Sequence, residues 1–491
     1  MTENMALPTN EKKKAERTGC SIWVCPVFKV SGVFSSHMVL QRDKEIVIWG
    51  FSDKAGSKVS ANFMGDTAIS EVNADNEWIL RFPARPYTKE PQVLEIYDDR
   101  GHSAVFEDIL IGDVWMIGGQ SNAELNLAPC LSLTPNVEFS EADPFRLFAQ
   151  TREYVYTHQE FCNEPQRDII NSDWRWKLPG EEASREFSAV GWYFARELMQ
   201  HIDVPLGLVM IAAGGACIRE LVPEELAHLM GYDFGANVRQ AGYYNTLIYP
   251  FLRLPFKAMI FFQGESESCD RTFSERYTSE LAMLVEDERK SFGFDFPFYN
   301  IQLSDYRTEG QQCFPWHDIV RARQFDALKA IPNSTLTVDM DLGAPADYED
   351  WAHSPRKFEL AQRVAAVVLD KEYGIRTAEE IHSPMPETVR LTYDKKHIII
   401  EFEHVGSGLA VTGYTAEESV GREVHGFFCG EYDKRMPAKA VITGKASIKV
   451  TVPENADTSY VGYAMSNLIT AKNADLRNSV GLPCVAFMVR V

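Results

Sequence analysis

Paired cysteines are the first thing this chain lacks. Its nine cysteines, at positions 20, 25, 130, 162, 217, 269, 313, 429 and 484, are odd in number, and no two stand as Cys-x-x-Cys. That pattern argues against both a disulfide framework and a zinc site. Positive charge is also in short supply: 49 Lys and Arg against 70 Asp and Glu give a net charge of −21. Binding a polyphosphate needs clustered cations, so nucleic acid is excluded as an expected partner. The deficit says nothing against a neutral sugar, and a local basic patch could still hold an acidic one. No apolar run is long enough to span a bilayer, and no membrane partner is expected. The first residues, MTENMALPTNEKKKAERTG, have neither the apolar stretch nor the small-residue cleavage site of a signal peptide. The expected location is cytoplasmic, or secreted or periplasmic if a leader has been removed. Oligomeric state is not legible.

What is present suits a core of ordinary size, with 45% hydrophobic and 24% charged residues. At roughly 100–200 residues per domain, 491 residues suggest about three domains. Residues 1–19 read as a disordered tail, with Lys12-Lys13-Lys14 a solvated run. Residues 20–111 read as an N-terminal β domain, because short alternating segments such as Val47-Ile48-Trp49, 58–63 and 93–97 are separated by Gly50, Gly56, Gly65 and 98–101. Residues 112–375 alternate strand and helix. Helical periodicity runs over 187–200 and 354–369, and continuous apolar runs over 206–213 and 256–262 predict strands buried on both faces, with further strands at 297–303 and 334–340. Such alternation implies a mostly parallel sheet covered by helices, with ligands at the carboxyl ends of its strands. Residues 376–491 return to β-type alternation and read as a C-terminal β domain.

Three apolar strands end in polar, glycine-containing turns: GGQSN at 118–122, GGA at 214–216 and QGESE at 263–267. A fourth polar cluster, DYEDWAHS at 347–354, precedes a helix. A parallel sheet would bring all four to one edge, where they contain the parts of an acyl-transfer site: a nucleophile, a base, an orienting acid and oxyanion donors. Ser121 is the candidate nucleophile; its competing reading is a serine that caps a helix. His353 is the candidate base. Asp350 stands at Asp-x-x-His spacing, and Asp347 and Glu349 are alternative acids close enough in sequence to hold its tautomer. The backbone amides of Ser121 and Gly215 and the side-chain amide of Gln263 are candidate oxyanion donors, since glycine lets the backbone approach where a Cβ would crowd. Gly214-Gly215 could equally be a tight turn with no ligand. A second His-Ser-Pro, at 382–384, stands before Pro386 and β-type segments, which rejects His382 as the base.

Several long segments in one order make the chain resemble the sialate O-acetylesterase family of SGNH-type hydrolases. They are FSSHMVLQRDKEIVIWG (34–50), GDVWMIGGQSN (112–122), FSAVGWYFAREL (187–198), YNTLIYPFLRLPFKAMIFFQGESE (244–267), HVGSGL (404–409) and GLPCVAF (481–487). The resemblance implies an α/β fold: a flavodoxin-like SGNH hydrolase domain with a parallel sheet, flanked by N-terminal and C-terminal β-sandwich-like domains. It implies an enzyme without metal that hydrolyses acetyl esters on sugars, so that its partner is an O-acetylated sugar or oligosaccharide. Within it Ser121 matches the nucleophile, His353 the base, and Gly215 and Gln263 the oxyanion hole. The chain departs from the family pattern at Ala213 and Ala216, where tryptophan and threonine flank the Gly-Gly turn, and at Ala123, where a methionine follows GQSN. Around the base, Trp351 stands where the family has the aspartate of Asp-Ile-His-Pro, which leaves Asp350 as the choice of acid. The smaller residues imply an altered acyl or sugar pocket. The expected function is therefore sialate O-acetylesterase, with acetylxylan or other glycan acetylesterase as the alternative. A non-catalytic glycan-binding protein with a degenerate hydrolase domain is the reading from another class.

Overall fold

A computed structural model describes residues 25–134, 137–231, 241–306, 314–470 and 472–491. The tail read at 1–19, and Cys20 and Cys313, lie outside the described residues. The architecture is mixed α/β with a large central mixed sheet and several smaller sheets. Its axis is one strand, Ser103–Gly119. The first six residues of this strand are exposed or half-buried, and from Ile109 onward every residue is buried. The change follows from its neighbours. The first part pairs antiparallel with Thr88–Asp98 at the edge of the N-terminal β region, whereas the second lies between the parallel strands Leu206–Met210 and Ala258–Phe262. The boundary read between 111 and 112 falls inside this continuous strand.

Across the central sheet the order is Trp176–Lys177, Phe145–Ala149, Leu206–Met210, Ser103–Gly119, Ala258–Phe262, Phe298–Gln302 and Ser334–Val338. All neighbours are parallel except the edge pair formed by Trp176–Lys177. Leaving aside the two strands at that edge, the other five, numbered along the chain, run 2-1-3-4-5, an order in which doubly wound sheets bind ligands at the 1/3 switch point. Leu206–Met210 and Ala258–Phe262 are buried at every position, as strands covered on both faces should be.

The helix read over 187–200 is Ala189–Leu198, capped by Ser188, whose hydroxyl accepts from Gly191 N at 3.2 Å. The helix read over 354–369 is Lys357–Tyr373, ending at Gly374 in the left-handed region. The long helix Arg271–Phe292 carries a cap at each end, Asp270 accepting from Thr272 N and Phe273 N, and Gly293 with φ 80°. No helix among the described residues is long and apolar enough to cross a membrane.

Near the C-terminus a five-stranded and a four-stranded sheet share one apolar core, in which Ile398, Ile400, Ile448 and Val450 meet Phe427, Val461, Tyr463 and Phe487. That core continues into Phe325, Leu336 and Val338 of the central unit. A reciprocal amide pair fixes the contact: Gln302 Nε2 donates to Ala486 O at 3.0 Å, and Ala486 N donates back to Gln302 Oε1 at 3.0 Å.

Candidate active site

Register sets the site. Ile117 is paired with Met210, and Gly119 with Phe262, so three central strands end level with one another. The ladder then continues into the turns, with Ala213 N donating to Gly119 O at 3.1 Å and Gln120 N to Phe262 O at 2.9 Å. Gly119 has φ 123°, and a Cβ there would stand 2.1 Å from Phe262 O, so only glycine lets the strand turn here. The buried Gln120 ties this turn to the next, its Oε1 accepting from Gly264 N at 3.2 Å and Ser266 N at 3.3 Å.

Ser121 opens the short helix Ser121–Glu124, and the cap position belongs to Gln120, with no side-chain cap bond. The hydroxyl is therefore not spent on capping, and Ser121 is partly exposed while Asn122 and Ala123 beside it are buried. Asn122 is the hub. Its Nδ2 donates to Glu265 Oε1 at 2.5 Å and to Ala352 O at 3.0 Å, and its Oδ1 accepts from Lys357 Nζ at 2.8 Å. One amide thus clasps the serine turn to the residue before His353. Burial pushes the Glu265 carboxyl up, against the bond from Asn122 and the nearby charge of Lys357.

His353 Nδ1 lies 2.7 Å from Asp350 Oδ2, while Asp350 Oδ1 accepts from Ala352 N at 3.2 Å. An ionised carboxylate only accepts, so it places the ring proton on Nδ1 and leaves Nε2 as the lone-pair nitrogen. Asp347, Glu349 and Asp350 are all exposed, and of the three it is Asp350 whose carboxylate contacts the ring. Among the described residues no hydrogen bond joins the Ser121 hydroxyl to His353; the two are brought together through Asn122 and Ala352.

At the neighbouring turn, Glu124 Oε2 accepts from Gly214 N at 2.6 Å, and Arg152 Nη1 donates to Gly214 O at 2.7 Å. Burial pushes the Glu124 carboxyl up despite these bonds and the nearby positive charge of Arg152. Gly215 is exposed with φ 76°. Gln263 is fully buried, its amide nitrogen donating to Ala216 O at 3.2 Å and to Glu267. One hydrogen of that amide thus serves the loop after Gly215 and the other a carboxylate of its own turn. Glu267 in turn accepts from Ile218 N at 2.6 Å, and burial pushes its carboxyl up to about 7.

Ala123, Ala213 and Ala216 are all buried, at 1%, 0% and 0% exposure. Their small size adjusts packing beneath the turns, and none of the three lines an open surface. His382 lies at the C-terminal β region with its ring 4.6 Å from His404, and burial lowers it to about 4.

Sequence reasoning did not single out Asn122, Lys357, Glu265, Glu124 or Arg152. Asn122, Glu124 and Glu265 stood in or beside segments already singled out. Their partners, 28 to 235 positions away in sequence, left no local signal.

The family model described as carbohydrate esterase, sialic acid-specific acetylesterase matches residues 111–370. A sialate O-acetylesterase of Homo sapiens is 23% identical over 404 residues, spanning 75% of this chain and 75% of its own length. That of Mus musculus is 23% identical over 428 residues, spanning 74% and 77%. Among solved structures, a carbohydrate acetylesterase from Xanthomonas citri matches with a TM-score of 0.76 at 27% identity, over 94% of this chain and 99% of that one.

Proposed function

The chain belongs to the carbohydrate esterase family of sialic acid-specific acetylesterases and is an esterase, and we propose that it removes O-acetyl groups from sugars by a serine mechanism, with sialic acid its first substrate. Its α/β unit is read as a flavodoxin-like SGNH hydrolase with accessory β-sandwich-like regions. Ser121 Oγ attacks the acetyl carbonyl as His353 Nε2 takes its proton, and Asp350 on Nδ1 stabilises the imidazolium. The backbone N–H groups of Ser121 and Gly215 receive the oxyanion, while Gln263 holds the Ala216 carbonyl and so shapes the turn that carries Gly215. His353 then returns the proton to the departing sugar hydroxyl. Water hydrolyses the acetyl-enzyme by the same steps in reverse. None of these steps calls for a cofactor.

The observation that carries the reading is the clasp from Asn122 Nδ2 to Ala352 O at 3.0 Å, which supports one site made from the serine turn and the Asp350–His353 pair. Ser121→Ala should reduce hydrolysis of 4-nitrophenyl acetate by at least about 10³-fold with an unchanged circular dichroism spectrum. An organophosphonate should label the parent protein and not this variant. Full turnover by Ser121→Ala would sink the serine mechanism. Glycan binding by the parent protein with neither turnover nor labelling would instead identify a non-catalytic glycan-binding protein. Comparing rates on O-acetylated sialic acids and acetylated xylo-oligosaccharides separates the two sugar classes.

A further inference from the structure

The Gly214 carbonyl and the Gly215 N–H belong to one planar peptide unit, and in the trans form they point in opposite directions. Whatever fixes the carbonyl therefore fixes the N–H. Arg152 Nη1 donates to that carbonyl at 2.7 Å, and on the preceding peptide Glu124 Oε2 accepts from Gly214 N at 2.6 Å. Arg152 also donates its own backbone N–H to Glu124 Oε1 at 3.3 Å, so the two side chains form one bracket around Gly214. Such a bracket has work to do here. Two consecutive glycines place little steric restraint on the plane between them, and Gly215 sits at φ 76°. The fit is close: a Cβ on Gly214 would stand 2.8 Å from Glu124 Oε2 and 3.0 Å from Arg152 Nη1.

A guanidinium on a peptide carbonyl does more than orient it. The charge draws electron density toward the oxygen and makes the N–H at the other end of the same amide a stronger donor. We infer that Arg152 is a positioning residue of the esterase, locking the Gly214–Gly215 peptide and polarising it so that the Gly215 N–H meets the oxyanion of the tetrahedral intermediate. This rests on the reading of Gly215 as an oxyanion donor. Arg152 touches neither the nucleophile nor the base in this scheme; it acts through one peptide bond.

Removing an oxyanion donor outright typically lowers the rate by about 10²–10³. Arg152→Met frees the plane without deleting the N–H, so a loss of roughly 10- to 100-fold in kcat on 4-nitrophenyl acetate is expected, with KM nearly unchanged. Methylboronic acid, which forms a tetrahedral adduct on a serine, should lose affinity by the same factor, while acetate inhibition stays as it was. Arg152→Lys keeps a cationic donor and should recover part of both losses. Gly214→Ala displaces the same bracket from the other side, so the double variant should fall little further than either single one. An unchanged kcat and boronate affinity in Arg152→Met would overturn the inference. So would a raised KM at constant kcat, which would make Arg152 a direct ligand of the sugar. If Ser121→Ala is inactive while Arg152→Met behaves as the parent protein, the serine mechanism stands and only this inference fails.

Discussion

Asn122 offers a perturbation in which stability and catalysis separate. Its side chain makes three hydrogen bonds, buried ones to Glu265 and Lys357 and a partly buried one to Ala352 O. Two of the partners are ionisable groups almost wholly removed from water, Glu265 at 6% and Lys357 at 1% exposure. A hydrogen bond to a charged group contributes about 1.5–3 kcal/mol, and stranding one buried charge costs about 3–5 kcal/mol. Asn122→Ala strands both partners, so the expected destabilisation is about 3–5 kcal/mol, a large part of a typical total of about 5–15 kcal/mol. The His353 loop also loses its tether, and a misplacement of about 1 Å in a catalytic group costs on the order of 10²-fold in rate. Urea unfolding followed by circular dichroism reads the first effect, and kcat on 4-nitrophenyl acetate the second. The decisive variant replaces the whole cluster: Asn122→Leu, Glu265→Leu and Lys357→Met together. Apolar replacement of a buried charged cluster often recovers or exceeds the original stability. The triple variant should therefore regain most of the stability lost in Asn122→Ala and none of the lost kcat. Wild-type kcat in the triple variant would refute the view that this cluster holds the histidine in place.

Two further expectations are independent of that cluster. Asp350→Asn should lower kcat by about 10²–10⁴-fold, whereas Asp347→Asn and Glu349→Gln should leave it within about twofold, measured on the same aryl acetate; full activity in Asp350→Asn would remove it from the triad. On the long helix Arg271–Phe292, burial pushes the Glu288 carboxyl up to about 8, with adjacent Asp287 adding to the effect. The folded chain then holds a proton that the unfolded chain, titrating near the ordinary carboxylate range, has released. Its stabilising contribution is present at low pH, declines as pH rises from about 4.5, and is gone above about 8. Glu288→Gln should therefore match the parent protein near pH 4 and exceed it by an amount on the order of a few kcal/mol above pH 8, read from unfolding midpoints across pH. A pH-independent difference would show that Glu288 titrates normally.

Much of this construction was legible because its signals are local. A strand buried on both faces must be a continuous apolar run, and its exit into the site must be polar and rich in glycine; both were visible at 114–122, 206–215 and 256–265. The helix Arg271–Phe292 has no reading from sequence, although Asp270 and Gly293 stand at its ends, because its many charged residues interrupt the apolar stripe between them. What was not legible depends on partners distant in sequence. Gln263, read as an oxyanion donor, places its amide hydrogens on Glu267 and on the Ala216 carbonyl, 47 positions away. Ala123, Ala213 and Ala216 looked like pocket residues, and burial places them under the turns instead. The boundary read at 111/112 lies near the point where the strand Ser103–Gly119 passes from one half-buried face to burial on both, so its sequence pattern switches while its hydrogen-bond ladder continues.

The C-terminal strands also bear on the proposed site, through the far end of the loop that carries His353. Asn122 holds that loop at Ala352; beyond the histidine, Ser354 Oγ donates to Leu342 O at 2.5 Å and Arg356 Nη1 to Asp341 O at 3.1 Å. Residues 341–342 are thus the loop's second anchor. Asp341 is mostly buried, which alone would push its carboxyl up, yet Arg363 and Arg477 together hold it below the ordinary carboxylate range. Arg363 grips it with two bonds, at 2.7 and 3.0 Å, and Arg477 adds one at 2.9 Å. Arg363 lies on the helix that follows the loop, Lys357–Tyr373, whereas Arg477 comes from the C-terminal strand Leu476–Asn478. A histidine on an irregular loop has no ladder of its own to fix it, and its rigidity has to come from what the two ends of the loop are tied to. Here one end is tied to the turn that carries Ser121 and the other, through Asp341, to the C-terminal β region, so that region is part of what holds the loop of Asp350 and His353 in place.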